Sequence, residues 1–207
     1  MSRGVIAVDI DDVLFPCSFR LVDFYSEKHG VKLDYPAIMG DDGKIRGTLE
    51  VLADALDIGE DEIIDHVEAI LSHPDFHEID PHDASEETLK KLSRQYELHA
   101  VSARPQVINQ QTQEWLAKHY PDIFSSIHIL GGRWGRGTTV DKLATYRRLG
   151  TTYVIDDLLN HAMKAREVGA TPILFGKYPW NNVAVLPDGV VWCTDWQAVG
   201  AYFDARG

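Results

Sequence analysis

The segment VIAVDIDDVLFP, residues 5–16, sets Asp9, Asp11 and Asp12 directly behind four apolar residues. Carboxylates this close to a buried strand repel one another, and each costs desolvation energy. The cluster therefore calls for a cation. Further along come Ser102 and Arg104 in VSARP, Lys142 in VDKLATY, and Asp156 and Asp157 in YVIDD. Oxygen donors without Cys or His suit a hard ion, and carboxylates at a mouth that also admits phosphate suit Mg²⁺. Two unit charges about 4 Å apart interact by about 4 kcal/mol at an effective dielectric of ~20. A phosphate dianion beside three carboxylates thus needs both the metal and Lys142.

These residues are far apart in sequence, so the elements between them must bring them together. Short apolar runs read as strands at VIAV, ELHAVSA, SSIHIL, TYVID, TPILFG and GVVWCT. Amphipathic helices separate the later ones: SEETLKKLSRQY, QVINQQTQEWLAKHY stopped by Pro121, TTVDKLATYRRLG closed by Gly150, LLNHAMKAREVG, and WQAVGAYF. Nearly continuous apolar strands alternating with helices predict a parallel sheet covered on both faces. The expected fold is α/β, a three-layer doubly wound (Rossmann-like) sheet. Residues 17–76 break the rhythm, with three helical patterns and no strand. They predict a small helical cap inserted after the first strand, with residues 1–16 and 77–207 forming the core domain. Open α/β sheets bind ligands beyond the carboxyl ends of their strands, where Asp9, Asp11, Ser102, Asp156 and Asp157 all fall.

Composition narrows the partners. The chain has 207 residues, 44% hydrophobic and 25% charged, as in an ordinary folded domain. A net charge of −12 argues against polymeric nucleic acid and anionic membranes. No apolar run approaches the ~20 residues of a membrane span, and the N-terminus lacks a signal-peptide pattern. Cys17 and Cys193 form no metal motif and read as reduced thiols. The expectation is a cytoplasmic protein acting on a small phosphorylated substrate; a homodimer is compatible with the sequence.

The ordered motifs resemble the haloacid dehalogenase-like phosphohydrolases. Asp9 and Asp11 match that family's first motif, Ser102 its second, Lys142 its third, and Asp156 with Asp157 its fourth. The resemblance implies that Asp9 attacks phosphorus to form an aspartyl-phosphate, while Asp11 serves as acid and then base. Ser102 and Lys142 would hold phosphoryl oxygens. Asp9, Asp11 (through its carbonyl), Asp156 and Asp157 would surround Mg²⁺, Asp157 directly or as a second acceptor. DIDDVLFP, the helical insertion and ILFGKYPWN look like the 5'(3')-deoxyribonucleotidase branch, which implies a nucleoside monophosphate and aromatic cap residues such as Phe15 and Phe19 against the base. The insertion lacks the tryptophan that branch uses, and Ala103 stands where a second hydroxyl is common. The alternatives are a phosphatase for another metabolite such as a sugar phosphate, and a non-catalytic module of the same fold.

Other polar residues carry weaker signals. Asp12 stands where the family commonly has glycine and reads as a cap or solvated group. Arg104, and Arg133 to Arg136 in the RWGR stretch, read as phosphate ligands or surface cations. His73, His77 and His82 read as surface histidines, because Pro74 breaks the spacing of a metal pair. Trp192 and Trp196 read as packing residues.

Overall fold

The computed structural model describes residues 3–30, 32, 48–131, 142–181 and 183–206. Arg133, Trp134 and Arg136 lie outside them. Six parallel strands form one sheet in the order β3-β2-β1-β4-β5-β6: β1 Gly4–Val8, β2 Tyr96–Ser102, β3 Ser126–Ile129, β4 Tyr153–Asp156, β5 Thr171–Phe175 and β6 Val191–Cys193. The helices are α1 Cys17–His29, α2 Thr48–Leu56, α3 Glu60–Leu71, α4 Ser85–Leu92, α5 Asn109–His119, α6 Lys142–Leu149, α7 Leu159–Lys164 and α8 Trp196–Asp204. The doubly wound sheet expected from the sequence is the observed architecture.

Alternate residues of the strands feed opposite faces, as a two-residue period requires. Ile6, Val8, Leu98, Ala100, Ile155 and Ile173 join Leu89, Trp115, Leu116, Trp196 and Val199 in the larger core. Ala7, Val101 and Val154 face the other way, onto Tyr146 and Ala165. Every central strand is therefore buried on both sides, which explains its continuous apolar run. Some boundaries differ from expectation. Tyr96, placed in the helix by its period, opens β2, because the chain turns at residues 93–95 once Leu92 has been buried. The helix after Pro105 begins as a 3₁₀ turn at Gln106–Ile108 before α5.

The switch in strand order falls at β1, between β2 on one side and β4 on the other. Register brings Val8 opposite Ala100 and Ile155. The residues that follow these strands meet at one edge. Helices α1, α2 and α3 lie between β1 and β2 in sequence, and Leu21, Phe24, Leu52, Ile63 and Val67 join the larger core. Among the described residues no helix is long and apolar enough to cross a membrane.

Candidate active site

Asp9 follows β1 and is 7% exposed. Its backbone N–H donates to the Ile155 carbonyl at 2.9 Å, which ties the end of β1 to β4. One carboxylate oxygen accepts from the Ile10 N–H at 2.8 Å. The other lies 2.7 Å from the Lys142 ammonium. Lys142 opens α6 and is fully buried, and its Nζ also donates to Asp156 Oδ2 at 2.8 Å. One cation thus bridges the carboxylates that end β1 and β4. Burial pushes the Asp9 carboxyl up to about 6, against the pull of Lys142. Burial acts the same way on Asp156, but there Lys142 and His161 outweigh it and hold the group down at about 2. Lys142 is itself raised well above its ordinary value, because Asp156 and Asp9 overcome the cost of its burial.

Asp11 sits two residues on, its side chain 17% exposed and paired with Arg104 at 2.8 Å. Arg104 was expected at the phosphate; its guanidinium instead lies wholly buried against Asp11, with Nη1 donating to Thr112 Oγ1 at 3.1 Å. The reason is local. Ser102 Oγ, at the end of β2, accepts from the Arg104 N–H at 3.1 Å, and this turn folds the arginine inward beneath the Asp11 loop. Phe15 also departs from expectation. It is fully buried, 5.5 Å from Phe76 and 5.0 Å from Trp115 between ring centroids, so it packs the core and cannot face a base. Phe19, one turn into α1, is 48% exposed.

Asp12 is a cap, as read. Its carboxylate accepts from the backbone N–H and hydroxyl of Ser18, in the first turn of α1. Its φ of 56° is left-handed, the conformation a glycine would adopt freely. Aspartate tolerates it because its short side chain bonds locally. Burial pushes the Asp12 carboxyl up to about 7, against the Ser18 bonds. Asp157 turns to the other side: its carboxylate accepts from the Trp180 indole at 2.7 Å and is raised well above the usual range by burial.

The loop that carries these acids is held from behind by three separate elements. Tyr178 donates its hydroxyl to the Asp12 carbonyl at 2.7 Å. The Trp196 indole donates to the Val13 carbonyl at 2.8 Å. The His82 N–H donates to the Leu14 carbonyl at 3.0 Å. Gly176 has a φ of 84°, and a Cβ there would collide with the Tyr178 ring; its lack of one lets Tyr178 fold back onto the loop. Trp196 is thus packing and clamp together, while Trp192 donates to the Gly176 carbonyl. A cavity of ≈ 400 Å³ opens beside this clamp, lined by His82, Lys177, Tyr178 and Gln197 among others.

The histidine reading needs correction. His77 is buried with its Nε2 2.9 Å from the Leu71 carbonyl, and His82 is largely enclosed, which lowers it to about 4. His77 lies inside and His82 is half-buried at a cavity mouth; each is held by the fold at its own place. His161, in the first turn of α7, was missed. Its Nδ1 is buried without a hydrogen-bond partner among the described residues and lies 3.6 Å from Asp156 Oδ1. Its place in the first turn of the helix that follows the Asp156–Asp157 strand end was the available signal.

Ligand atoms of Asp9, Asp156 and His161 lie within 4.8 Å of one another. Two carboxylates and one unpartnered buried nitrogen fit a divalent cation, and the oxygen pair favours a hard one.

No family model and no curated protein matches the sequence. Solved structures match its shape. A conserved haloacid dehalogenase-like protein of unknown function from Agrobacterium tumefaciens has a TM-score of 0.61 at 14% identity, covering 99% of each chain. The chain has the haloacid dehalogenase-like fold. A putative β-phosphoglucomutase from Thermotoga maritima matches at 0.58 and 19% identity, over 98% of this chain and 99% of that one. A putative hydrolase of this fold from Bacillus subtilis, bound to magnesium, matches at 0.59 and 11% identity, over 99% and 100%. At these identities the likeness establishes architecture; chemistry has to be argued from the side chains.

Proposed function

We propose that the chain is a phosphomonoesterase of small phosphorylated metabolites, working through an aspartyl-phosphate on Asp9 with Mg²⁺ as cofactor. The observation that carries the reading is the Asp9–Lys142–Asp156 bridge at the strand-order switch, with a second acid, Asp11, two residues on. Asp9 attacks phosphorus and the bond to the leaving oxygen breaks, that oxygen taking a proton from Asp11. Water then attacks the aspartyl-phosphate and gives its proton to Asp11. The Asp9–phosphorus bond breaks and inorganic phosphate leaves. Lys142 keeps Asp9 oriented and offsets charge on the phosphoryl oxygens, while the Ser102 hydroxyl holds one of them. Asp9 and Asp156 would hold Mg²⁺, with His161 beside them and Asp157 one step back on the Trp180 indole; when bound, the ion would neutralise the phosphoryl group and the acids around it. A carbon–halide displacement releases halide without a proton and would use Asp11 only as the base toward water, whereas phosphoryl transfer to a poor leaving group uses it in both steps.

For the substrate we favour a nucleoside monophosphate, with residues 17–76 as the cap that closes over it. Phe19 supports this as an exposed ring on α1; stacking on a base is worth ~1–3 kcal/mol. A sugar phosphate is the second reading, supported by the absence of Phe15 from any platform.

Asp9→Asn tests the mechanism. It is expected to lower phosphate release on the order of 10⁴-fold or more while leaving the fold intact. Chelation should abolish wild-type turnover and Mg²⁺ restore it. If the wild type hydrolyses no phosphomonoester in a panel of nucleotides and sugar phosphates, the proposal fails. If sugar phosphates are turned over far faster, the nucleotide reading yields to the second.

A further inference from the structure

Arg104 is a cation sunk in the protein with its geometry fixed on every side. Nε and Nη2 donate to Asp11 Oδ1 at 3.0 and 2.8 Å. Asp11 Oδ2 receives only a share of Nε, at 3.2 Å. Nη1 donates to Thr112 Oγ1, whose own proton goes to the Ile108 carbonyl at 2.8 Å, so the threonine can only accept from the arginine. The guanidinium carbon stands 4.5 Å from the centre of the Phe15 ring, which Phe76 and Trp115 hold in turn. Burying a guanidinium costs several kcal/mol unless its partners are well placed. Here its one close carboxylate partner among the described residues is Asp11, which reaches the crevice. The two oxygens of that carboxylate are not equivalent: Oδ1 accepts two bonds from the guanidinium, at 2.8 and 3.0 Å, and Oδ2 one longer bond, at 3.2 Å.

We propose that Arg104 is the positioning residue of the reaction, anchoring Oδ1 of Asp11 so that Oδ2 is the oxygen that handles the proton. The inference rests on the phosphomonoesterase reading above and deepens it. In the first half-reaction the proton on Oδ2 passes to the leaving oxygen as its bond to phosphorus breaks, which leaves Asp11 as carboxylate. In the second, the attacking water returns a proton to Oδ2 as the bond between Asp9 and phosphorus breaks. A bidentate guanidinium fixes the plane of its carboxylate as well as its distance, which a lysine cannot do.

The signature is dependence on the leaving group. An alkoxide needs a proton to depart, whereas 4-nitrophenolate does not. Single-turnover release from an alkyl phosphate and from 4-nitrophenyl phosphate would be compared in wild type, Arg104→Gln and Arg104→Lys. Arg104→Gln should lose about 10²- to 10³-fold on the alkyl ester and under about tenfold on the nitrophenyl ester, with KM nearly unchanged. Arg104→Lys should recover part of the alkyl loss. Equal losses on both esters would overturn the proposal in favour of a purely structural pair. A raised KM with kcat intact would overturn it in favour of a phosphate ligand. Should these variants not fold, Thr112→Val, which removes only the far support of the guanidinium, should show the same discrimination at about three- to tenfold; uniform rates there would reject the idea. A wild type inactive on both esters would instead remove the parent reading, and this one with it.

Discussion

At the scale of the residue, what an ion pair is worth depends on where it lies. Lys90 and Glu86 form an exposed pair one helical turn apart at 3.1 Å. Such pairs contribute ~0.3–0.5 kcal/mol. Lys142 lies at a comparable distance from Asp9 and Asp156, but all three groups are buried. Removing one member of a buried cluster leaves uncompensated charge and costs about 3–5 kcal/mol. Lys142→Met should therefore destabilise the metal-free protein by that amount at neutral pH, measured by urea unfolding, whereas Lys90→Met should change it by under ~0.5 kcal/mol. Comparable effects from the two substitutions would mean that the buried bridge is not the strong interaction assigned to it.

At the scale of the element, strands and helices were legible because their apolar periods differ and because both faces of this sheet are covered. The acids were legible because polar residues at the end of an apolar run fall at the ligand-binding edge. Side-chain direction was not legible. Whether Arg104 turns outward to a phosphate or inward to Asp11 is decided by a two-residue turn at Ser102 and by Thr112 on α5, neither of which leaves a periodic trace. Phe15 reads as a cap aromatic until Phe76 and Trp115 are seen around it. His82 is a third case: a loop histidine enclosed between Tyr178, 3.3 Å from its Nε2, and the ring of Phe175. Burial lowers it to about 4, with Asp83 pulling the other way. An unfolded histidine titrates near 6.5. Below that pH the unfolded chain takes up a proton that the folded one refuses, so stability is lost as pH falls from about 6.5 towards about 4. The loss should reach on the order of 2 kcal/mol after allowing for partial solvent contact. His82→Gln should flatten that part of the pH–stability curve, measured by denaturant unfolding between pH 7 and 4.5. An unchanged slope would show that other groups carry it.

At the scale of the whole molecule, the helical insertion and the sheet share one apolar interior. Phe24 of α1 meets Phe76 at 5.9 Å, Phe76 meets Phe15 at 5.5 Å, and Phe15 meets Trp115 of α5 at 5.0 Å. This aromatic file runs from the insertion, past the loop that carries Asp9 and Asp11, to a helix packed on the sheet. Arg20 of α1 ties the two ends of the insertion to each other, donating to the carbonyls of Phe76 and Asp75. An insertion hung on flexible linkers would unfold on its own; one that shares its core should not. The expected behaviour is a single thermal transition, the same by far-ultraviolet circular dichroism and by tryptophan fluorescence. Phe76→Ala removes the middle ring and should cost about 3–5 kcal/mol, because a fully buried aromatic leaves both lost contacts and a cavity. If the file is what makes the two parts cooperative, that variant should also split the transition, with helical signal lost ahead of the sheet. Two separate transitions already present in the wild type would refute the shared interior. A destabilised variant that still melts in one step would place the coupling in the remaining contacts between α1, α3 and the core.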